Sequence, residues 1–419
     1  MARTLSQQLL LNDTRFTQFL SELYTRNLKD ICERYSALTE DLTGDILFFS
    51  SPGRAELVGN HTDHNHGLVI AGSINLDIAA AVVKRNDNLI IVKSAGYDAF
   101  TVDVNDLSVD TNMYGTSLSL LKGVVKGFID KGFNVGGFDV RADSNIFKGA
   151  GVSSSAAFEL LFCEILNVLY NDGKIDFTTK AIIGRFAENV YFGKPSGLMD
   201  QLSISRGNVS FMDFSTEIPN SFTAEWNFDD LSLVIINCGG DHCNLTGEYA
   251  SIRSEMESIA KYFGKSVLNE VAPEKIYDSL PILRQKFPGR ALLRALHFIE
   301  ENERVKKAYD AINRSDKDSF LSIINESGLS SALLLQNCYP SGDYEQTVPS
   351  ALAVVKRDDR TLACRVHGGG FAGTILAFVD TQNETNYLEK MRNVFGNENV
   401  FGVKIRKFGA VCIYNKGNL

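Results

Sequence analysis

The sequence contains no C-x-x-C pair, and its seven cysteines are odd in number. Most stand in apolar runs such as Leu161-Phe162-Cys163. A disulfide framework is therefore excluded, and buried free thiols in a reducing compartment are expected. No apolar run approaches the ~20 residues of a membrane span. The opening stretch MARTLSQQLLLNDTRF lacks both a continuous apolar core and a small-residue cleavage site. A cytoplasmic protein with no membrane partner is expected. Basic residues are not in excess: 42 Lys and Arg face 51 Asp and Glu, a net charge of −9. That balance excludes a general nucleic-acid binder, which needs a basic face for the phosphates. There is no repeat period, and 8 prolines with 34 glycines are too few for a disordered chain.

What is present is a globular composition, 44% hydrophobic and 22% charged over 419 residues, enough for two domains. Residues 5–38 read as an N-terminal helical arm. Strand-like runs follow at 46–49, 77–84 and 89–92, and at the alternating Phe138, Val140 and Ala142. Phe158, Leu161, Phe162, Ile165, Leu166 and Leu169 form one continuous helical stripe. The serines 153–155 stand before it as helix caps. A composition change near 207–214 opens a second lobe, with a strand at 231–237. Helices carrying Ile252, Met256, Ile259 and Phe263, and then Leu292, Leu296 and Ile299, come next. Strands at 374–379 and 410–414 close the chain. The mixture indicates α+β lobes rather than a doubly wound sheet.

Four constellations could carry chemistry. The first is the loop Gly149-Ala150-Gly151-Val152-Ser153-Ser154-Ser155 running into the apolar helix. Small residues let backbone N–H groups approach an anion, and the helix dipole points the same way. Phosphate binding is the expectation, although neither a Walker A nor a dinucleotide fingerprint is present. The second is the polar stretch 51–67, costly to bury without a ligand. Its histidines 61, 64 and 66 admit a metal, but its Asn, His and Asp side chains suit a polyhydroxyl ligand better. The third, glycines 368, 369, 370 and 373, fits a tight strand connection or the close approach of a ligand. The fourth sets Glu188 and Asp200 in the segments AEN and GLMDQ. Spacing alone leaves either acid free to be a cap or a surface carboxylate.

In this order the segments GRAELVGNHTDHNHG, KGAGVSSSAA, EN…SGLMDQ and GGGFAGT resemble the motifs of the GHMP small-molecule kinases. The similarity runs over nearly the whole chain. It implies a two-lobed α+β fold, an N-terminal lobe like the second domain of ribosomal protein S5 (1–210) and a ferredoxin-like C-terminal lobe (211–419). The active site would lie between them. The implied reaction is ATP-dependent phosphorylation of a sugar at its anomeric hydroxyl. Asp200 matches the catalytic aspartate, and Arg54 the arginine that keeps it ionised. Ser155 and Glu188 match ligands of Mg²⁺, and the loop 149–155 would hold the triphosphate of ATP. Asn60, His61, Asp63, Gly197 and Tyr249 match sugar-contacting positions. A monomer or weak homodimer is expected.

Two departures bear on the sugar. Asn60 stands where the family has a glutamate that contacts the C6 hydroxyl, and His64 replaces a tyrosine. Asparagine removes a repulsion toward a C6 carboxylate, and His61 and His64 add positive character if protonated. Galactose is the first choice, galacturonate and L-arabinose the alternatives. A sensor that binds sugar and ATP without catalysis is the reading from another class.

Overall fold

The computed structural model describes residues 7–24, 27–146, 151–240 and 245–414. It is an α+β structure built on two sheets. The first takes β1 (Ile46–Val58), β2 (Leu68–Lys84), β3 (Leu89–Ser94), β4 (Phe100–Asp103), β5 (Phe138–Ser144), β6 (Val209–Asp213) and β7 (Asn220–Ala224). The second holds β8 (Leu231–Asn237), β9 (Ala363–Val366), β10 (Thr374–Asp380) and β11 (Val400–Val403), in the order β11-β8-β10-β9 and antiparallel throughout. The last strand, β12 (Val411–Tyr414), returns to the edge of the first sheet beside β1. The expected division at 210/211 thus falls inside β6, and the chain's end is shared between the two halves.

Strand β1 is far longer than the 46–49 run. Proline and glycine ordinarily weaken a strand, yet β1 passes through both Pro52 and Gly53. It does so by shifting register on β2 at Pro52/Arg54 and again at Glu56/Val58. Such bulges bend a strand and re-aim its side chains, which is how half of the polar stretch 51–67 becomes sheet. Strand β2 is long enough to pair with β5 over 78–84 and with β6 over 68–72.

The helix Ser154–Tyr170 is buried on nearly all sides. Leu161, Phe162 and Leu166 are at most 1% exposed. Each contributes roughly 1.5–3 kcal/mol relative to an exposed side chain. A helix apolar all round belongs inside a fold, and this one lies across β1 and β2. The predicted serine caps do not form. Ser153 occupies the N-cap position in the left-handed region (φ 62°), and its hydroxyl makes no cap bond.

The 25-residue helix Gly289–Asn313 packs against elements of both halves. Its apolar residues Leu292 and Leu296 are only half-buried, whereas Arg294, His297 and Glu301 are fully buried. Of the expected stripe only Ile299 is buried, and the buried face mixes these polar residues with Ala295, Phe298 and Val305. The N-terminal arm folds as three helices, Gln7–Asn12, Thr14–Leu23 and Leu28–Ala37. Cys32, Cys163, Cys338 and Cys364 are buried free thiols, and Cys238 and Cys412 are partly exposed. Cys243 lies outside the described residues. No described helix is long and apolar enough to cross a membrane.

Candidate active site

Strand β1 and the serine loop meet backbone to backbone. The Arg54 amide donates to the Val152 carbonyl at 3.1 Å. A Cβ on Gly53 would lie 2.8 Å from that oxygen, so glycine is what permits the approach. The Arg54 guanidinium then reaches the Gly151 carbonyl with Nη1 and Asp200 Oδ1 with Nε, the latter at 2.8 Å. The Ser153 hydroxyl donates to the other oxygen, Asp200 Oδ2. Here is the reason Ser153 caps nothing: its left-handed backbone turns the hydroxyl away from its own helix. Burial by itself raises the Asp200 pKa, but Arg54, the Ser153 hydroxyl and Lys194 outweigh it and hold the carboxyl below its usual range. The Asp200 side chain remains 27% exposed against 8% for Arg54. An ionised carboxylate is thus pinned on one side and open on the other.

A second group forms one turn along. Glu188 sits in a π-helical turn, Ala187–Tyr191, closing the helix Phe177–Phe186. Such turns are frequent at functional sites. Its carboxylate is 1% exposed. Oε1 accepts from Ser155 Oγ at 2.8 Å and from Lys194 Nζ at 2.9 Å. Oε2 accepts from Ser196 Oγ at 2.6 Å and Gln201 Nε2 at 2.9 Å. Lys194, Ser196 and Gln201 are site residues that sequence reasoning missed. Gln201 was legible as the residue beside Asp200. Ser196 opens the segment SGLMDQ without having been given a role, and Lys194 carries no motif of its own; both sit in a loop. Ser154 is exposed, Val152 is core, and Gly149 and Ala150 lie outside the described residues.

The polar stretch after β1 supplies the third group. Gly59 (φ 106°) makes the turn, since a Cβ there would meet the Leu68 carbonyl at 2.5 Å. Asp63 starts a single 3₁₀ turn, and its Oδ2 lies against Gly197, where a Cβ would sit only 2.5 Å away. Burial, then the carboxylates of Glu56 and Asp200, push Asp63 up to about 6.

His61 and His64 are hydrogen-bonded in a directed series. The Gly369 carbonyl, 2.8 Å from His61 Nε2, can only accept, and the Asn65 amide nitrogen, 3.1 Å from His64 Nδ1, can only donate. Each ring therefore carries its proton on Nε2, and His64 donates to His61 Nδ1 at 3.3 Å. Burial lowers both, His61 to about 4 and His64 well below its usual value, with Arg294 and His297 adding repulsion. The expected positive character is absent: both rings are neutral at pH 7. His66 is exposed, and among the described residues no group of three His, Cys, Asp or Glu side chains is placed to hold a metal. Tyr249, on the helix Thr246–Tyr262, stacks beside His61 with centroids 6.3 Å apart and donates to the Gly370 carbonyl at 3.0 Å.

Asn60 departs from the expectation. It is fully buried, and its side chain is engaged by the protein at both ends. Its amide nitrogen donates twice and its amide oxygen accepts twice, all within the protein. Glu56, Arg365, His297, Glu301 and Asn337, all buried around it, were not singled out in the sequence. Polar residues at helix or strand spacing look like a solvent face until the fold encloses them.

Comparison with known proteins places these groups in context. Residues 38–84 match the family model of the galactokinase galactose-binding signature, and residues 119–208 that of the GHMP kinase N-terminal domain. A galactokinase of Clostridium perfringens is 31% identical over 375 residues, spanning 83% of this chain and 89% of that protein. The structure of Lactococcus lactis galactokinase complexed with galactose superposes with a TM-score of 0.77 at 22% identity, covering 92% of this chain and 99% of that one. The Methanococcus jannaschii mevalonate kinase follows the same fold, with a TM-score of 0.63 at 14% identity over 87% of this chain and 99% of that one.

Proposed function

The chain belongs to the galactokinases within the GHMP kinases, and from that premise we propose how its residues phosphorylate galactose at the anomeric hydroxyl with ATP. Asp200 accepts or orients the proton of the attacking hydroxyl. Arg54 keeps Asp200 ionised and offsets negative charge on the transferring phosphoryl group. Asp63 receives hydrogen bonds from ring hydroxyls, with Gly197 leaving room beside it for the sugar. The amides of the serine loop and the N-terminus of helix Ser154–Tyr170 hold the triphosphate. The observation that carries this reading is the Asp200 carboxylate, clamped by Arg54 and Ser153 and open on its remaining face.

Ser155 and Glu188 are the candidate magnesium ligands. A hydroxyl and a carboxylate 2.8 Å apart are hard oxygen donors of the kind Mg²⁺ takes, the remaining positions falling to water and phosphate. When bound, the ion supplies charge neutralisation at the phosphate oxygens. Ser196 and Gln201 hold the other oxygen, Oε2, in place, and Lys194 shares Oε1 with Ser155. The two-lobed division, with 1–210 and 211–419 sharing the last strand, belongs to the same proposal, as does a monomer or weak homodimer. The test is ADP release from ATP and Mg²⁺ against galactose, galacturonate and L-arabinose. Galactose is expected to give the highest kcat/KM; turnover of none of the three refutes the assignment.

A further inference from the structure

Every polar atom of Asn60 is held by the protein. Its amide faces Glu301 Oε1 at 3.4 Å, and its carbonyl accepts from His297 Nε2 at 2.9 Å. Oδ1 accepts from Asn337 Nδ2 at 2.8 Å and Ser331 Oγ at 3.2 Å. Nδ2 donates to Glu56 Oε1 at 2.9 Å and to the Gly368 carbonyl at 2.7 Å. Asn337 is equally buried and continues the contact: its Nδ2 also reaches the Gly369 carbonyl at 3.2 Å, and its own carbonyl accepts from the Phe371 amide. The left-handed Gln336 (φ 58°), ending the π-helical turn Ser331–Leu335, aims Asn337 at this place.

Three successive carbonyls of the glycine loop are thereby claimed. Gly368 is held by Asn60, Gly369 by His61 and Asn337, and Gly370 by Tyr249. The loop cannot shift without breaking bonds to His61 and Tyr249. A Cβ on Gly370 would overlap the Asn337 carbonyl, at 2.2 Å, so the fit tolerates no side chain. We propose that Asn60 and Asn337 are a positioning pair that fixes the loop Gly368–Gly370 against His61 and Tyr249, and that Asn60 makes no contact with the sugar. The pair acts on the sugar only through the two residues the loop braces. The kinetic consequence rests on the galactokinase reading; the structural one does not.

The experiment has two arms on the full chain: hydrogen exchange of the amides of 367–373, and kinetics with galactose and L-arabinose. In Asn60→Ala and Asn337→Ala, loop exchange accelerates about tenfold and KM for galactose rises about tenfold with kcat within about threefold. The ratio of kcat/KM for galactose to that for L-arabinose stays within about threefold of wild type. The double variant is no worse than the worse single, because each removes the same brace. Should neither alanine variant fold, Ser331→Ala reads the same quantities, with about a threefold effect in the same direction. Unchanged loop exchange overturns the proposal. So does a sugar ratio moved beyond about tenfold by Asn60→Ala alone, which would make Asn60 a reader of the sugar. If wild type turns over neither sugar, the kinase reading falls while loop exchange still decides on the pair.

Discussion

Asp77 and Asp200 each accept from an arginine and a serine hydroxyl, in two parts of the first half of the molecule. Asp77, on β2, accepts from Arg34 Nη1 at 2.7 Å, from Ser50 Oγ and from Tyr24 Oη, and faces Arg406 Nη1 at 3.6 Å. Asp200 has Arg54 and Ser153. Against the cost of burial, the arginines hold both carboxyls below their usual range. The difference is closure. Asp77 is wholly buried, with groups from the N-terminal arm, β1 and the segment before β12 around it. It bolts the N-terminal arm and the segment before β12 to the sheet and leaves no position for a hydroxyl from outside. Asp200 keeps one face open. An Asp–Arg–Ser grouping is therefore not a site in itself; what separates fastening from chemistry is the unfilled side.

The sharpest way to break this comparison is to remove the charge at each position. Asp200→Asn is expected to lower kcat about 10²–10⁴-fold, the range of a lost proton acceptor, with the melting temperature little changed. A variant retaining over a tenth of kcat would place Asp200 outside the chemistry. Asp77→Asn is expected to do the reverse, costing about 3–5 kcal/mol of stability because Arg34 and Arg406 lose their buried counter-charge. Turnover per folded molecule should hold, as measured by denaturant titration beside an active-site count. Since folding lowers the Asp77 pKa, its contribution is full above about pH 4 and lost as pH falls through the folded value.

Smaller effects sharpen what the open face does. Ser155→Ala and Glu188→Gln should each raise the magnesium concentration for half-maximal rate by roughly tenfold, and together by less than the product if both hold one ion. Magnesium titration of the four proteins decides it. The smallest expected effect is a pH dependence. Asp63 titrates near 6 and serves as an acceptor when ionised. The kcat/KM for galactose should accordingly fall about tenfold per unit below that pH, and Asp63→Asn should flatten the profile at a reduced level. A profile unchanged in Asp63→Asn would assign the titration to another group.

Much was legible in one dimension. The apolar stripe from Phe158 to Leu169 predicted a helix, found at Ser154–Tyr170 and buried beyond the stripe itself. The run 231–237 became a central strand of the second sheet, and 374–379 its partner. The glycine run 368–373 was expected to allow a close approach, and a Cβ on Gly370 would meet the Asn337 carbonyl at 2.2 Å. These features follow from local properties: side-chain period, size and the conformational freedom of glycine.

The sequence by itself thus determined the α+β class, the main buried elements and which segments carry polar chemistry. Only the tertiary structure decided what each polar residue does. Ser153 left its cap for Asp200, Asn60 turned inward onto Asn337 and the glycine loop, and Arg294, His297 and Glu301 joined the buried face of their helix. The physical reason is that apolar burial is non-directional and tolerant of its partner, so periodicity suffices to foresee it. A buried hydrogen bond needs a particular atom at about 3 Å, and for Asn60 that atom comes from Gly368, 308 residues away.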